Sequence, residues 1–507
     1  MARANGGLYA SAPIVADRDP FRSPALRAEL PGLEDAFDER VMRGHLHATL
    51  CDGERRGVIE RCERAQAVYA PGDGCVVRYR IQVRDRSSGT GIPGLVIGRL
   101  FADPRSAHTY LESRLAPLAG AMRGRPEVAP FATPVAVLEP LAMTVSLFPI
   151  DGELPTLVDV TDSAAMLDIL CSTLPDARAG RLTPTRCHVE LGHYGRQHRC
   201  VLRYTIHGTG RTGEDAAPIT VYGKVAADHR GALTEAVVPE LRERVLRGKD
   251  SPFTVPRSFG FIEPLQLTLL EAVPGRPGIA ALLKDRARNG RGDNGARALA
   301  ASIEAAARVA AALHGSGLAL GPKRGIDDEL VELGHALAAL QRVSPGLGAE
   351  FEGWLETLRA CAVASDPGEP CLSHGDFTHS QLIFSGERCG LVDFDTVCRA
   401  EPALDLAQFL AYLRMNARKA GVPASADGNG ATEQLCARFL GAYMIERGYG
   451  PRERDALRAR VHPYEMVSLL RLAFHSWQKF KPARLELAVE LIRERLLPLG
   501  GSRGNHA

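Results

Sequence analysis

The sequence lacks any long apolar run. Nowhere in its 507 residues does an apolar stretch approach the roughly eighteen residues needed for a membrane-spanning helix. The opening residues, MARANGGLYASAPIVADRDPFRS, also lack the uninterrupted apolar core of a secretory signal peptide. We therefore expect a cytoplasmic protein that does not use a membrane as partner.

The chain also has little excess charge and no closely paired cysteines. Its 62 Lys and Arg residues against 60 Asp and Glu residues give a formal net charge of +2, so electrostatics provides no reason to expect a nucleic acid partner. The 11 cysteines are scattered, odd in number and without a CxxC pair, which favours reduced thiols over a disulfide framework or a zinc site. The length predicts two to four domains.

What the sequence does contain is an internal repeat in its first half. The segment GCVVRYRIQVRD (Gly74–Asp85) resembles RCVLRYTIHGTG (Arg199–Gly210), which lies 125 residues later. The apolar runs GLVIGRL and ITVYGKV keep the same spacing, so Arg99 corresponds to Lys224, and a Glu-Pro-Leu triplet follows in both copies. Each copy predicts the order strand, strand, helix, strand, strand.

Helical patterns separated by Gly and Pro dominate from about Ile279 onward. We therefore predict an α+β protein with four parts. These are an N-terminal segment (1–45), a first repeat copy (46–165), a second copy (166–275) and a helical part (276–500).

The stretch CLSHGDFTHSQLIFSGERCGLVDFDTV (Cys371–Val397) has the composition of a phosphoryl-transfer site. Its pattern predicts two short strands joined by a turn, with Asp376 before this hairpin and Asp393 at its end. The two carboxylates can therefore converge on one point. Phosphoryl transfer needs one carboxylate to orient and deprotonate the attacking hydroxyl and another to hold Mg²⁺ against the phosphates.

These residues resemble the aminoglycoside phosphotransferase and choline kinase superfamily, which has the protein-kinase-like fold. The similarity rests on the HGD triplet at His374–Asp376, the DFD triplet ending at Asp395 and the DLA triplet that begins at Asp405. It extends over about Val189–Leu497. It implies a two-lobed fold in which 166–275 is the nucleotide-binding N-lobe, 276–500 is the helical C-lobe, and 46–165 is a duplicated N-lobe-like module.

The resemblance also implies roles for the residues of the HGD and DFD segments. Asp376 would be the catalytic base, His374 would brace the catalytic loop, and Asp393 would be the principal metal ligand. Asp395 would be either a second acid beside the metal or a solvated turn residue. The family has Asn where this chain has Gln381, whose carbonyl could still bind Mg²⁺ from one methylene farther out or whose amide could brace the loop. Asp405 would anchor the loop.

In the N-lobe the resemblance implies the nucleotide contacts. Lys224 would bind the phosphates of ATP, with Glu235 as its ion-pair partner and Glu240 as a weaker candidate. The backbone of Glu271 and Val273 would hydrogen-bond adenine. The turn YGRQHR lies where a loop would cover the phosphates, although it is not rich in glycine.

The first repeat copy lacks this chemistry, since Arg99 replaces the lysine. It could cap the active site, mediate dimerisation, bind an effector or serve only as a packing module. Arg78 and Arg203 hold matching positions in the two copies, and both are expected to face solvent because they alternate with apolar residues on a strand.

The resemblance implies an ATP- and Mg²⁺-dependent kinase that phosphorylates a hydroxyl of a small molecule, such as an aminoglycoside, a sugar or an amino alcohol. The helical part shows no net acidity, which disfavours a polycationic substrate. The alternative is a catalytically impaired kinase-like protein that binds nucleotide or acts as a scaffold. The presence of Lys224, Asp376 and Asp393 together disfavours it. The sequence leaves the oligomeric state open.

Overall fold

The computed structural model of the protein describes residues 19–51, 57–86, 89–195, 199–228, 230–244, 251–289, 293–363, 368–386, 388–422 and 430–500. It is an α+β structure with two five-stranded antiparallel sheets and many helices.

The front of the chain forms the first sheet and its helices. Its elements are α1 (Pro24–Glu29), α2 (Leu33–Phe37), α3 (Glu39–Leu50), β1 (Gly57–Ala70), β2 (Gly74–Asp85), β3 (Gly91–Leu100), α4 (Pro104–Tyr110), α5 (Ala116–Ala121), β4 (Val135–Leu138), β5 (Met143–Leu147) and α6 (Leu157–Val160). We call β1–β5 the front sheet and residues 19–160 the front unit.

The second sheet follows two further helices. The elements of this region are α7 (Ser163–Thr173), α8 (Pro175–Arg178), β6 (Thr183–Tyr194), β7 (Arg199–Thr209), β8 (Ile219–Ala226), α9 (Arg230–Arg244), β9 (Ser258–Ile262) and β10 (Leu267–Glu271). The strand order is β6-β7-β8-β10-β9, which matches the order β1-β2-β3-β5-β4 of the front sheet. In both sheets a Glu-Pro-Leu 3-10 turn precedes the last strand and ends at a left-handed residue, Ala142 or Gln266.

The remaining chain is mainly helical, as its sequence pattern predicted. Its elements are α10 (Ile279–Asn289), α11 (Asp293–His314), α12 (Ile326–Val343), α13 (Pro345–Val363), β11 (Cys371–Ser373), β12 (Leu382–Ser385), β13 (Arg388–Leu391), β14 (Cys398–Ala400), α14 (Pro402–Ala420), α15 (Ala431–Glu446), α16 (Pro451–Gln478) and α17 (Pro482–Gly500). The strands form two small antiparallel pairs, β11 with β14 and β12 with β13.

The first strand of each sheet was missed by the sequence analysis, which predicted four strands per copy. Both β1 and β6 contain two bulges where the register against the next strand shifts, and β1 also carries four charged residues, Glu60, Arg61, Glu63 and Arg64. A bulge places an extra residue in the strand and interrupts the alternation of inward and outward side chains. The period of two, from which a strand is read, is therefore lost in these segments.

Arg78 lies inside the molecule, contrary to the expectation that it faces solvent. It is 7% exposed, and its guanidinium donates to the side chain of Gln66 at 2.7 Å. Arg203, at the matching position of the second sheet, does face solvent, where it pairs with Glu190. The difference arises because β2 is covered on this face by the end of β6, where Arg78 lies 3.7 Å above the ring of Tyr194.

One hydrophobic core joins the front unit to the helical part. It includes Tyr69 and Tyr79 of the front sheet together with Tyr464 and Trp477 of α16. A second core lies under the second sheet and includes Ile97 of β3. No helix within the described ranges is both long and apolar enough to cross a membrane. All 11 cysteines are free thiols.

Candidate active site

The HGD triplet lies in the loop between β11 and β12, and the backbone there is tightly constrained. Gly375 has φ +75°, and a Cβ at this position would lie 2.1 Å from the carbonyl oxygen of Thr396. Asp393 also has a positive φ, 72°, which costs a non-glycine residue about 1–3 kcal/mol. Strain of this kind is kept where the surroundings enforce it, and it is concentrated at functional sites.

Asp405, at the start of α14, anchors this loop. Its carboxylate accepts hydrogen bonds from the backbone N–H of His374 at 2.6 Å and of Gly375 at 2.9 Å. It also contacts Nε2 of His314 at 3.1 Å, and the other nitrogen of that ring meets the hydroxyl of Tyr443. Burial opposes ionisation, yet these partners keep the pKa of Asp405 below its usual value. The predicted anchoring role is confirmed.

We expect Asp405→Ala to destabilise the protein by about 3–5 kcal/mol, because it leaves buried donors without an acceptor. The apparent unfolding temperature measured by differential scanning fluorimetry should fall clearly. A matched control is Asp38→Ala, which removes an exposed carboxylate that caps α3 and should lower the unfolding temperature much less. Equal shifts for the two variants would contradict the anchoring role.

His374 supports the catalytic loop from the protein interior. Its side chain is fully buried, with Nε2 lying 3.0 Å from the carbonyl oxygen of Val392 and Nδ1 accepting from the N–H of Asp376 at 3.3 Å. These bonds tie the HGD segment to the strand that leads into Asp393. The geometry agrees with the bracing role expected for His374.

Asp376 and Asp393 converge, as their positions in the sequence predicted. The side-chain amide nitrogen of Gln381 donates to Oδ2 of Asp376 at 3.0 Å and to Oδ2 of Asp393 at 3.2 Å. Gln381 therefore braces both carboxylates. Its carbonyl oxygen accepts no hydrogen bond within the described part of the chain, so it is available to a cation.

Asp376 carries the electrostatics expected of a base. Burial raises its pKa, the nearby His374 opposes this rise, and the carboxylate of Asp393 adds to it. A base acts in its ionised form, so the raised pKa moves the loss of activity on acidification to a higher pH than for a solvent-exposed aspartate.

The acidic limb of the kcat/KM profile is therefore expected to lie above the ordinary Asp pKa of about 3.9. Activity should be full at neutral pH and should fall as the pH drops through the raised pKa of Asp376. Initial rates between pH 4 and 8, with the fold checked by circular dichroism, measure this limb. A profile that stays flat down to the ordinary Asp pKa would contradict the assignment.

Lys224, on strand β8 of the second sheet, contacts the turn that contains Asp393 and Asp395. Its ammonium contacts Oδ1 of Asp393 and lies 2.8 Å from Oδ1 of Asp395. Burial alone would lower the pKa of Lys224, but these two carboxylates raise it, so the side chain stays charged. The same ammonium lowers the pKa of Asp393 against the opposing effect of burial. A cation and two anions thus face one another across two parts of the chain.

Asp395 is buried rather than a solvated turn residue, since it is only 8% exposed. Besides Lys224, it accepts from the hydroxyl of Thr234 on α9 at 3.2 Å and lies 3.7 Å from Nη1 of Arg199. Glu235 is not brought to Lys224. Its carboxylate accepts from the hydroxyl of Ser258, so the ion-pair partners of Lys224 among the described residues are Asp393 and Asp395.

The remaining N-lobe candidates lie elsewhere. Glu240 pairs with Arg244 on the same helix at 3.3 Å. The N–H of Glu271 donates to the carbonyl of Arg257 at 2.9 Å, and both Glu271 and Val273 line a cavity of about 580 Å³ that does not include Lys224. The predicted adenine contacts of Glu271 and Val273 stay predictions. Residues 196–198 of the YGRQHR turn lie outside the described residues.

The candidate residues for phosphate and metal binding line one cleft of about 620 Å³. Its walls hold Lys224, Asp376, Gln381, Asp393 and Asp395. The cleft is further lined by residues that the sequence analysis did not single out, namely His193, Arg199, Arg324, Glu332, Gln408, Tyr412, Arg471 and Lys479.

A signal for part of this wall exists in the sequence. Arg471 and His475 lie near the end of α16 and Lys479 directly follows it, so the three recur every four residues, a spacing that is typical of one helix face. Arg199 had no such signal, because it is the first residue of its strand, and only the fold brings it near Asp395.

The donor set suits a hard divalent cation. Asp376, Asp393 and Gln381 present oxygen atoms, the ligand type that Mg²⁺ prefers, and Mg²⁺ is usually held by one or two carboxylates together with phosphate oxygens and water. Within the described residues no three His, Cys, Asp or Glu side chains form a complete metal centre. A cation held by these side chains would complete its coordination with phosphate oxygens and water.

Comparison with known protein families finds a match to this region. The model of the phosphotransferase enzyme family matches residues 225–457, a segment that contains the HGD, DFD and DLA triplets and begins directly after Lys224. This match confirms the resemblance predicted from the sequence and supports a small-molecule phosphotransferase. The front unit lies outside the matched segment. No curated protein sequence matches the chain.

Solved structures with partial similarity include three kinases. A choline kinase from Cryptosporidium parvum Iowa II is 11% identical, covers 68% of this chain and 99% of its own, and has a TM-score of 0.43. A thermostable aminoglycoside phosphotransferase mutant in ternary complex with AMP-PNP and hygromycin B is 12% identical, with coverages of 67% and 99% and a TM-score of 0.43. A Plasmodium vivax ethanolamine kinase is 11% identical, with coverages of 66% and 87% and a TM-score of 0.42.

Proposed function

We propose that the protein is an ATP- and Mg²⁺-dependent kinase that transfers the γ-phosphoryl group to a hydroxyl of a small molecule. The observation that carries this proposal is that one cleft is lined by Lys224, Asp376, Gln381 and Asp393. Hydrogen bonds of 3.2 Å or less join Gln381 to both aspartates, and Lys224 contacts Asp393. We further propose a protein-kinase-like arrangement in which residues 166–275 bind the nucleotide, 276–500 form the helical lobe, and 46–165 are a duplicated N-lobe-like module without catalytic residues.

Each side chain has a defined task in this reaction. The ammonium of Lys224 would bind phosphate oxygens and balance their charge. Asp393 would hold Mg²⁺ with the carbonyl of Gln381, and the bound cation would neutralise charge that develops on the transferred group. Asp376 would orient the acceptor hydroxyl and accept its proton as the oxygen attacks phosphorus. The adenine would contact the backbone of Glu271 and Val273.

Asp395 takes the place that the sequence analysis gave to Glu235. It is buried, it contacts Lys224 at 2.8 Å, and Thr234 holds it in position. A buried carboxylate fixed in this way can direct the lysine toward a phosphate. We therefore assign the positioning of Lys224 to Asp395, whose contribution to metal binding is secondary to that of Asp393.

The charge of the cleft wall supports an uncharged or anionic alcohol as the acceptor. Apart from the aspartates of the catalytic loop, Glu332 is the carboxylate among the described residues that line the cleft, whereas Arg324, Arg471 and Lys479 are cationic. Arg324 and Arg471 both pair with Glu332 and with the buried Glu329. A polycation such as an aminoglycoside would find few carboxylates left for it.

A hydroxyl-compound screen with a coupled ADP readout tests the proposed function. The panel contains neutral sugars, sugar acids, amino alcohols and aminoglycosides, each with and without Mg²⁺. We expect Mg²⁺-dependent ADP formation that requires an acceptor, with higher kcat/KM for neutral or anionic alcohols than for aminoglycosides. Nucleotide binding without turnover on the whole panel would instead support the impaired, scaffolding alternative.

A further inference from the structure

Tyr194, the last residue of β6, is held by three side chains of the front unit. The guanidinium of Arg78 lies 3.7 Å from the centre of its ring, and its hydroxyl donates to the carboxylate of Asp151. The ring of Phe148 meets it edge to face at 5.8 Å. Arg78, Asp151 and Tyr194 are each 7% exposed. Burying polar groups is costly without partners. Here the Arg78 guanidinium donates to Gln66 and to the backbone carbonyl of Tyr194, while its Nε has no hydrogen-bond partner among the described residues.

The hydrogen bonds fix the tyrosine in one orientation. Burial first, and then the carboxylate of Asp151, raise the pKa of Tyr194, which keeps its hydroxyl protonated as a donor. Arg78 also points toward the backbone carbonyl of Tyr194 at 3.4 Å and donates to Gln66 at 2.7 Å. Both the side chain and the backbone at the end of β6 are therefore attached to the front sheet.

The end of β6 belongs to the cleft. His193 precedes Tyr194 and lines the cleft, as does Arg199 at the start of β7. Tyr194 pairs with Cys200 in the β6–β7 ladder, and the N–H of Gly195 donates to the carbonyl of Arg199 at 2.9 Å. Fixing Tyr194 thus fixes the two strand ends from which His193 and Arg199 project.

The front unit also contacts the helical part, through the tyrosine of its own sheet that matches Tyr194 in position. Tyr69 pairs with Cys75 as Tyr194 pairs with Cys200. The ring of Tyr69 packs edge to face on Trp477 at 5.7 Å and lies 6.3 Å from Phe480. Lys479, which lies between these two aromatic residues in the sequence, lines the cleft.

A ligand-binding role of the front sheet is not supported by its geometry. Arg99, which matches Lys224 in position, is 8% exposed and is paired with Asp73 at 2.8 Å and with Glu153 at 3.1 Å. The cavity beside Arg99 measures about 30 Å³. A small-molecule site usually has a volume of about 300 Å³ or more. The matching position is therefore closed by its own ion pairs.

We propose that the front unit is a strut that ties the second sheet to the helical part beside the cleft, and that Arg78 and Asp151 act as positioning residues through Tyr194. The strut holds His193 and Arg199 where the triphosphate of the nucleotide would bind. This inference rests on the proposed function for its effect on ATP, whereas the mechanical role of the strut can be measured without turnover.

The test compares Arg78→Met with Arg203→Met, the substitution at the matching but exposed position of the second sheet. Hydrogen–deuterium exchange of peptides covering 186–204 reports the strand ends directly in the full chain without nucleotide. Arg78→Met should exchange about tenfold faster there, the factor expected for the loss of one buried charged hydrogen bond. Arg203→Met should exchange like the wild type.

The kinetic readout separates positioning from a general loss of structure. Arg78→Met should raise the KM for ATP by about tenfold and leave kcat within about threefold, because it loosens nucleotide binding and not the base. Tyr194→Phe, which keeps the ring and loses only the bond to Asp151, should shift both readouts in the same direction but less, and it serves if Arg78→Met does not fold.

Two results would overturn the proposal. One is an Arg78→Met variant whose peptides covering 186–204 exchange hydrogen at the same rate as those of Arg203→Met, which would show that the front unit does not hold these strand ends. The other is faster exchange with an unchanged KM for ATP, which would remove its positioning role. A wild-type protein without any ATP turnover would refute the proposed function instead, while the exchange experiment would still decide whether the strut exists.

Discussion

Replacing Asp376 by alanine is expected to lower kcat on the order of 10²–10⁴-fold, the usual contribution of a general base. The side chain lies in the cleft, its pKa is raised by burial, and Gln381 orients its Oδ2 at 3.0 Å. The KM for ATP should change little, because Lys224 and Asp393 remain in place. Steady-state rates from the coupled ADP assay measure both parameters.

A matched control for this variant is Ser380→Ala in the same loop. Ser380 also lines the cleft, but its hydroxyl bonds to the hydroxyl of Thr378 at 2.7 Å and makes no bond to either carboxylate. It should retain nearly full kcat. Near wild-type turnover in Asp376→Ala would rule out the base assignment.

The second large effect is expected for Asp393→Ala. This variant removes the principal metal ligand, and a bound cation supplies several kcal/mol of charge stabilisation, so kcat/KM for ATP should fall on the order of 10³-fold or more. The Mg²⁺ concentration that gives half of the maximal rate should also rise. A titration of the rate with Mg²⁺ at saturating ATP measures this second effect.

Asp395→Asn provides the comparison, because Asp395 contacts the same lysine from the same turn. We expect this variant to raise the KM for ATP, since Lys224 loses its buried partner, but to keep the Mg²⁺ dependence of the wild type. An identical shift of the Mg²⁺ titration in both variants would show that the two aspartates share the metal. Unchanged kinetics in Asp393→Ala would contradict its role altogether.

Much of the catalytic loop could be predicted from the sequence because its signals are local. The HGD and DFD triplets lie on either side of one short hairpin, so Asp376 and Asp393 had to end close together. The repeat also gave the matching strands of the two sheets, which share one strand order. Lys224 was implied by the family resemblance, on the strand ITVYGKV that matches GLVIGRL of the first copy.

The partners of these residues could not be predicted, because they come from distant parts of the chain. The lysine meets Asp395 rather than Glu235, although Glu235 is nearer in sequence, since Ser258 takes up the glutamate. Arg78 was expected in solvent because the alternation along β2 says nothing about the segment that covers it, here the end of β6. The strands β1 and β6 were missed for a different reason, because their bulges interrupt the alternation of inward and outward side chains.

Binding of ATP to the wild type and to Lys224→Met, each with and without Mg²⁺, tests the central claim most directly. The claim is that Lys224 and the acids of the catalytic loop act on one triphosphate. Isothermal titration calorimetry should show one Mg²⁺-dependent site in the wild type and an affinity at least about tenfold weaker in the variant, the effect of losing one charge-assisted contact. Absence of binding by the wild type, or equal affinities for both proteins, would contradict it.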